Sequence, residues 1–193
     1  MKRLFTPKPS MSPAAWGFTL IEMLVVVAIG GILAAVAAPS LVSVIESNRR
    51  TIISNQLMED LAYARRMAFT LSADTLICGK KDSGCVPGPP NQMDWSDGWY
   101  TTLSVSGVGP ILRAPQALAS GWKVNAYLSG TTANKAIFFY PQGESYGFGH
   151  FTIYRSGSAT AACVVVNSAG RARAYTATAP VASGPVSSSV DPC

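Results

Sequence analysis

The chain contains 193 residues, of which 48% are hydrophobic and 13% are charged, and its formal net charge is +5. Without the N-terminal leader and apolar segment described below, about 155 residues remain, which is enough for one domain with its own core. The charge is uneven, with +3 in residues 1–17, −2 in residues 18–98 and +4 in residues 99–193. The part after residue 17 therefore carries only +2, which permits an anionic partner for the C-terminal half without requiring one.

The first predicted element is a membrane anchor. Residues 18–38 are an apolar run of 21 residues in which Glu22 is the only ionisable side chain. As a helix this run would span roughly 30 Å, the thickness of the hydrocarbon core of a bilayer. It is longer than the apolar region of a secretory signal, and three basic residues precede it. We therefore predict a cytoplasmic leader over residues 1–17 and a membrane-spanning segment that stays in the mature chain.

The apolar periodicity continues beyond the anchor. Apolar side chains recur at spacings of three and four, which predicts one helix from residue 18 to about residue 71 with one buried face. The residues of that face are Ile53, Leu57, Leu61, Ala64, Ala68 and Leu71. Pro39 lacks a backbone donor, so we expect a kink or local melting there. For Arg65 and Arg66 we favour a solvated helix face over a ligand site.

The segment 72–193 is predicted to form a β-domain. It contains short runs with strand-like composition, separated by Gly, Pro and Ser. The predicted strands are 75–79, 98–106, 111–114, 122–127, 136–140, 149–155, 162–167 and 171–175. Residues 82–91 are predicted to be an exposed loop, and residues 180–192 a tail held by the cysteine that follows. A long helix against an antiparallel β-domain gives an α+β fold.

The four cysteines are Cys78, Cys85, Cys163 and Cys193, and three pairings are open to them. We favour Cys78–Cys85, which closes a local loop, and Cys163–Cys193, which ties down the C-terminus. A metal site is less favoured, because the sequence has no C-x-x-C spacing and only one histidine. Disulfides persist in the periplasm, which is the compartment that the charged leader predicts for the rest of the chain.

The sequence GFTLIE at residues 17–22 resembles the type III signal of type IV prepilins and type II secretion pseudopilins. Pro39 stands at the place usual in that family's helix. The resemblance implies that a prepilin peptidase cuts after Gly17 and methylates Phe18. It also implies that Glu22 pairs with the N-terminal amine of a neighbouring subunit as a filament grows. The alternative is that the Glu22 carboxylate extends to the membrane interface.

Three later stretches resemble the GspH/FimT branch of minor pilins and pseudopilins. Residues 95–99, WSDGW, form a predicted turn that brings two large aromatic side chains into the core and is similar to the branch's W-x-x-G-W element. IFFYPQG at residues 137–143 and GRAR at residues 170–173 occur in the order found in that branch. The resemblance implies a type IV pilin-like fold with the β-domain over residues 72–193.

The GRAR stretch is the one candidate ligand site. On a strand, Arg171 and Arg173 would project from the same face roughly 6.6 Å apart, a spacing at which two guanidinium groups could bridge phosphates. In FimT-type minor pilins this element is associated with DNA binding. Arg155 and Lys123 are added as supporting charges because they lie in the basic half of the chain. The alternative is an exposed edge strand protected by its charges.

No arrangement typical of an enzyme was found in the sequence. His150 has no acidic or cysteine partner close in sequence, and no G-x-S-x-G or phosphate-binding loop occurs. We therefore predict no catalytic activity, no metal and no cofactor.

The resemblance as a whole implies a minor pilin that acts in type IV pilus assembly and binds DNA non-specifically for natural transformation. The alternatives are a minor pseudopilin of a type II secretion system and a priming subunit without a ligand. The expected partners are the prepilin peptidase, other major and minor pilins or pseudopilins, the inner membrane and double-stranded DNA. The expected location is a single-pass inner-membrane protein with a periplasmic C-terminal domain, and then a pilus or pseudopilus.

Overall fold

The computed structural model describes residues 17–81, 84–85, 93–104, 108–114, 117–129, 136–178 and 192–193. It contains one helix, α1, over Leu20–Leu71. The strands are β1 Thr75–Lys81, β2 Gly84–Cys85, β3 Met93–Asp94, β4 Trp99–Ser104, β5 Val108–Arg113, β6 Trp122–Ser129, β7 Ile137–Phe139, β8 Ser145–Tyr146, β9 Phe148–Arg155, β10 Thr160–Val166 and β11 Ala172–Thr178. The predicted α+β class is confirmed by this helix and its antiparallel strands.

The strands form two antiparallel sheets. The first has the order β5-β4-β1-β7-β8, with β2 also paired to β1, and the second has the order β11-β10-β9-β6-β3. All eight predicted strands are present, with ends shifted by a few residues. Three strands were not predicted, β2, β3 and β8. Each has two residues, too few to show an alternating pattern.

One of these short strands corrects the prediction of a loop over residues 82–91. Lys80 pairs with Cys85 and Lys81 with Gly84, so the chain pairs back onto β1 across a two-residue connection. Such a short connection brings the flanking backbone groups directly opposite one another, and their hydrogen bonds outweigh the poor strand composition. The rest of that predicted loop, and residues 180–191 of the predicted tail, lie outside the described residues.

The chain divides into two compact units, Met1–Val44 and Ile45–Cys193, and the division falls within α1. The predicted limits at residues 17, 38 and 71 concern processing, the membrane and the helix end, and as domain limits they stay predictions. In the first unit the backbone is α-helical through Pro39, so the expected local melting is absent. The hydroxyl groups of Ser40 and Ser43 donate to carbonyl groups three residues earlier in this helix.

In the second unit the predicted apolar face of α1 forms the core. Five of its six residues, Ile53, Leu57, Leu61, Ala64 and Ala68, are at most 4% exposed, and they belong to one hydrophobic cluster with residues of both sheets. Leu71, the sixth, is 44% exposed because it is the last residue of the helix. The predicted aromatic turn is confirmed, since Trp95 and Trp99 are both buried and the Trp95 ring meets Phe151 edge-on at 4.8 Å.

A buried carboxylate fastens α1 to the first sheet. The indole Nε1 of Trp99 donates to Asp60 Oδ2 over 2.7 Å, and the Arg113 guanidinium lies 2.9 Å from Asp60 Oδ1. Burial raises the pKa of Asp60 above its ordinary value of 3.8, although the Trp99 hydrogen bond and the Arg113 charge partly offset this effect. The contact therefore joins the helix to β4 and β5 through one carboxyl group.

We expect the substitution Asp60→Asn to change how stability depends on pH. Because the folded-state pKa is raised, the contribution of Asp60 to the free energy of unfolding is greatest below pH 3.8 and declines as the pH rises through the folded-state pKa. Asp60→Asn removes this decline, so the variant should gain stability relative to the parent between pH 3 and neutral pH. The measurement is urea unfolding of the full chain in detergent across this range.

The matched control is Glu59→Gln, which removes the neighbouring, solvent-exposed carboxylate that contacts the same Arg113. This control should leave the pH profile closer to that of the parent, because exposed pairs contribute little. Parallel profiles for Asp60→Asn and the parent would contradict the assignment.

Candidate functional site

The start of α1 is held by a helix cap. The backbone N–H of Glu22 donates to Thr19 Oγ1 over 3.2 Å, and the N–H of Met23 donates to the Thr19 carbonyl over 3.2 Å. Thr19 is thus the N-cap residue and Glu22 the third helical residue, the spacing of a capping box. An acidic side chain in the first turn also complements the helix dipole. Gly17 and Phe18 consequently lie outside the helix, in exposed backbone.

The first unit of the chain exposes an apolar helix. The side chains of Leu20, Val27 and Val36 are each more than 70% exposed, and several neighbouring apolar side chains are more than half exposed. Among the described residues, α1 is the one helix that is long and apolar enough to cross a membrane. Pro39 stands in the same part of the chain, and its predicted role in assembly stays a prediction.

The GRAR stretch lies at the hairpin between β10 and β11. The N–H of Gly170 donates to the Asn167 carbonyl over 2.8 Å, and the N–H of Asn167 donates to the Arg171 carbonyl over 3.1 Å. The Asn167 side chain also accepts from the N–H of Arg171 over 2.8 Å. Gly170 has φ +70°, and a Cβ there would lie 2.9 Å from the Phe139 ring. Local hydrogen bonds and core packing therefore fix the position of this hairpin.

The two arginines of the hairpin are not equivalent. Arg173 is in β11 opposite Val165, whereas Arg171 precedes the strand, because β11 begins at Ala172. Both side chains are exposed, and neither makes an ion pair with a described residue. Only Arg173 lies within the strand, and Arg171 is the residue directly before it, so the shared strand face of the two arginines stays a prediction.

Arg171 lines a groove of about 480 Å³ between α1 and the hairpin. Across this groove lie Arg65 and Arg66 of the helix, with Met58 and Leu61 beside them. Arg65 donates to the Gly143 carbonyl over 3.1 Å, whereas Arg66 is exposed. The sequence indicated a solvated helix face for Arg65 and Arg66 but did not indicate the groove that they line. No local pattern could have shown it, because more than 100 residues separate Arg66 from Arg171.

The two supporting charges lie elsewhere. Arg155 pairs with Glu46, and Lys123 lies 3.7 Å from Asp94. Arg173 pairs with Val165 of β10, and Val165 pairs with His150 of β9. Arg155 lies five residues beyond His150 along β9. At about 3.4 Å per residue this amounts to roughly 17 Å along the strand. The structure therefore does not bring Arg155 and Lys123 together with the hairpin arginines.

A different pair shares the sheet face of Arg173. The register places Arg173, Val165, His150 and Tyr127 in one row across four strands. The rings of Tyr127 and His150 stack with centroids 4.8 Å apart. The sequence showed no acidic or cysteine partner close to His150. Its place in this row follows from strand register, which the sequence alone did not provide.

The C-terminal cysteine is bonded as predicted. A disulfide joins Cys163 to Cys193, and the hydroxyl of Tyr175 donates to the Cys193 carbonyl over 3.4 Å. Cys78 is also in a disulfide, but the side chain of Cys85 lies outside the described residues, so the pairing of these two stays a prediction. In the described part of the chain, no cluster of three or more His, Cys, Asp or Glu residues could hold a metal ion.

Two family models match the chain. The model described as type II transport protein GspH matches residues 54–170, more than half of the chain. The model of the prokaryotic N-terminal methylation motif matches residues 17–38. Arg171 and Arg173 directly follow the end of the GspH match, so the match itself does not include them.

The chain is also similar to two crystal structures of the type IV minor pilin FimU from Pseudomonas aeruginosa strain PAO1. In space group P65 the identity is 20%, with 69% of this chain and 95% of that chain covered and a TM-score of 0.45. In space group P21 the identity is 20%, with 74% and 96% covered and a TM-score of 0.49. No curated protein matches the chain.

We expect Cys193→Ser to lower the free energy of unfolding by about 3.7 kcal/mol, because the loop closed by the disulfide regains its entropy in the unfolded chain. The separation of 30 residues between the two cysteines sets the size of this term. Denaturant unfolding of the full chain measures it. The double variant Cys163→Ser with Cys193→Ser is the control and should fall by a similar amount; a much larger fall would show that Cys163 has a packing role beyond the bond.

Proposed function

We propose that this chain, which belongs to the GspH family of type II transport proteins, is a minor pilin that enters a type IV pilus through α1 and presents Arg171 and Arg173 to DNA. The observation that carries the DNA part is the exposure of two guanidinium groups, without ion pairs among described residues, on one fixed hairpin. The match to the methylation motif carries the assembly part.

Assembly begins with processing. A prepilin peptidase cleaves after Gly17, in the exposed backbone ahead of the helix cap, and the new terminus at Phe18 is methylated. The leader stays cytoplasmic and the second unit lies in the periplasm. Glu22, at the start of a helix whose other side chains in this stretch are apolar, then pairs with the amine of a neighbouring subunit. Desolvation makes such a pair specific, because a buried carboxylate without a partner is costly.

DNA binding rests on charge rather than sequence recognition. Guanidinium groups bind phosphate oxygens in pairs of parallel hydrogen bonds, and two of them cover two phosphates at most. Arg155 and Lys123 are left out of this interface because each already has an acidic partner. The binding is therefore weak, non-specific and sensitive to salt.

A second candidate function is that of a minor pseudopilin in a type II secretion system. The description of the matching family as a type II transport protein favours it. The same cap, helix and β-domain serve both candidates, so they differ in the partner of the exposed surface. Deletion of the gene would stop protein export in this case, whereas the first candidate requires a loss of natural transformation.

We expect Glu22→Ala to be processed and inserted but to be missing from filaments. The Thr19 cap uses the backbone N–H of residue 22, so the helix start survives the substitution while the intersubunit ion pair is lost. Immunoblots of membranes measure the processed and inserted protein, and immunoblots of sheared pili measure the protein incorporated into filaments. Thr19→Ala is the matched control, because it weakens the cap by about 1 kcal/mol and leaves the carboxylate in place. Normal incorporation of Glu22→Ala would contradict the proposed pairing.

We expect Arg171→Ala with Arg173→Ala to weaken DNA binding at all sequences equally. Each lost phosphate contact should reduce the magnitude of the slope of log affinity against log salt concentration by about 0.9. The double variant should therefore have a slope smaller in magnitude by about 1.8. Mobility shifts over a salt series measure this. The control Lys123→Ala with Arg155→Ala removes the same charge from ion-paired positions and should keep most of the slope. Equal effects of the two double variants would contradict a site at the hairpin and indicate an unspecific charge effect.

A further inference from the structure

The last strand, β11, is an open edge of the second sheet. It pairs with β10 along all seven of its residues, without a bulge, and no described strand lies on its other side. It contains no proline and one charged residue, Arg173. Edge strands are usually protected by bulges, prolines or several charges, because their unpaired backbone groups attract other strands. This strand has little such protection.

The hydrogen-bond register shows which backbone groups are open. The N–H of Asn167 donates to the Arg171 carbonyl, so residues 171, 173, 175 and 177 direct their backbone groups towards β10. The groups of Ala172, Ala174 and Thr176 therefore point away from the sheet. No hydrogen bond from a described residue reaches these backbone groups. The edge thus offers alternating donors and acceptors to an extended chain.

Two grooves lie beside this edge, between β11 and the helix, and together they are called the trough. One end is the groove of about 480 Å³ that Arg66 and Arg171 line, and the other is a groove of about 190 Å³ lined by Asn55, Ala174 and Thr176, among others. Along α1 the lining residues recur at helical spacing from Ser47 to Arg66, roughly 29 Å of helix at 1.5 Å per residue. Seven strand residues span about 24 Å. The residues of β11 that line the trough therefore extend from Ala172 to Thr176.

The charge of the trough selects its occupant. Arg50, Arg65, Arg66 and Arg171 line it, and none of its lining residues is acidic. Arg50 donates to the Thr160 carbonyl and Arg65 to the Gly143 carbonyl, whereas Arg66 and Arg171 have no bonded side-chain partner among the described residues. A second copy of this chain is a poor occupant, because it would bring its own arginines to this positively charged surface. The segment 179–191 contains one acidic residue and two prolines, which lack the N–H that edge pairing needs.

We propose that the open edge of β11 binds an extended, acidic peptide segment of another protein as an added antiparallel or parallel strand. Backbone bonds to Ala172, Ala174 and Thr176 hold the segment, and its carboxylates face Arg66 and Arg171 in the trough. Peptide binding shares Arg171 with the proposed DNA contact but differs from it in using the backbone edge, which DNA cannot pair with.

The experiment measures binding by the full chain in detergent micelles. The probe is a fluorescein-labelled peptide of seven residues in which glutamate alternates with valine. Its binding is measured by fluorescence anisotropy. We expect it to bind, while the lysine-for-glutamate peptide and the same peptide N-methylated at alternate residues bind at least about tenfold more weakly, because they lose the charge pairs or the backbone donors. Equal binding of the N-methylated peptide would overturn strand addition.

Two variants separate the backbone and charge terms. Ala174→Pro removes an N–H that points away from β10, so the fold is retained and peptide binding is lost. Arg66→Glu should lower the affinity for the acidic peptide at least about tenfold and raise the affinity for the lysine peptide. The control Arg49→Glu, on the same helix but outside the trough, should change neither affinity. Unchanged binding by Arg66→Glu would overturn the proposed acidic partner even if Ala174→Pro fails to fold. Binding that appears only after deletion of residues 181–190 would show that the chain's own segment covers the edge, and would also overturn the proposal.

Discussion

The structure depends on the burial of one face of α1 between two antiparallel sheets. Leu57, Ala64 and Ala68 are fully buried, and Leu61 is 1% exposed. Full burial of a leucine side chain stabilises a fold by about 1.5–3 kcal/mol. The first sheet covers this face through Ile77, Ile137 and Phe139, among others, and the second through Val124, Ile153 and Val164. Neither sheet could keep its apolar face buried without the helix.

That constraint also positions the surfaces discussed above. Because the helix face is fixed against both sheets, the adjacent stripe of α1 with Arg66 is held opposite the β10–β11 hairpin. The hairpin itself is fixed by Asn167 and by the packing of Gly170 on Phe139. Asp60 adds a polar contact between the helix and the first sheet, where Trp99 and Arg113 meet its carboxylate. Rigid elements therefore carry the exposed arginines.

The fold could be predicted from sequence where the signal is local and repeated. The spacing of Ile53, Leu57 and Leu61 indicated the helix and its buried face, and strand-like composition between Gly, Pro and Ser indicated the eight longer strands. Sheet order and register depend on contacts between residues far apart, so β3 and β8 and the division into two sheets were not predicted. The strand at Gly84–Cys85 was missed because its pairing with β1 outweighs its composition.

The same distinction applies to the sites. The processing motif at residues 17–22 is contiguous, so one sequence suffices to identify it, and its match to the methylation motif agrees with this. The grouping of Arg155 and Lys123 with the hairpin rested on their common half of the chain, and the register separates them. Arg66 was not grouped with Arg171, although the fold places both on one groove. Charge in sequence does not specify neighbours in space.

The most direct test of the account is natural transformation in a strain that carries Arg171→Ala with Arg173→Ala in place of the parent chain. The account predicts that the variant is processed and recovered in sheared pili at the parent level, while the transformation frequency falls to that of a deletion strain. Transformation at the parent frequency, with the variant present in pili, would contradict the assignment of DNA binding to the hairpin.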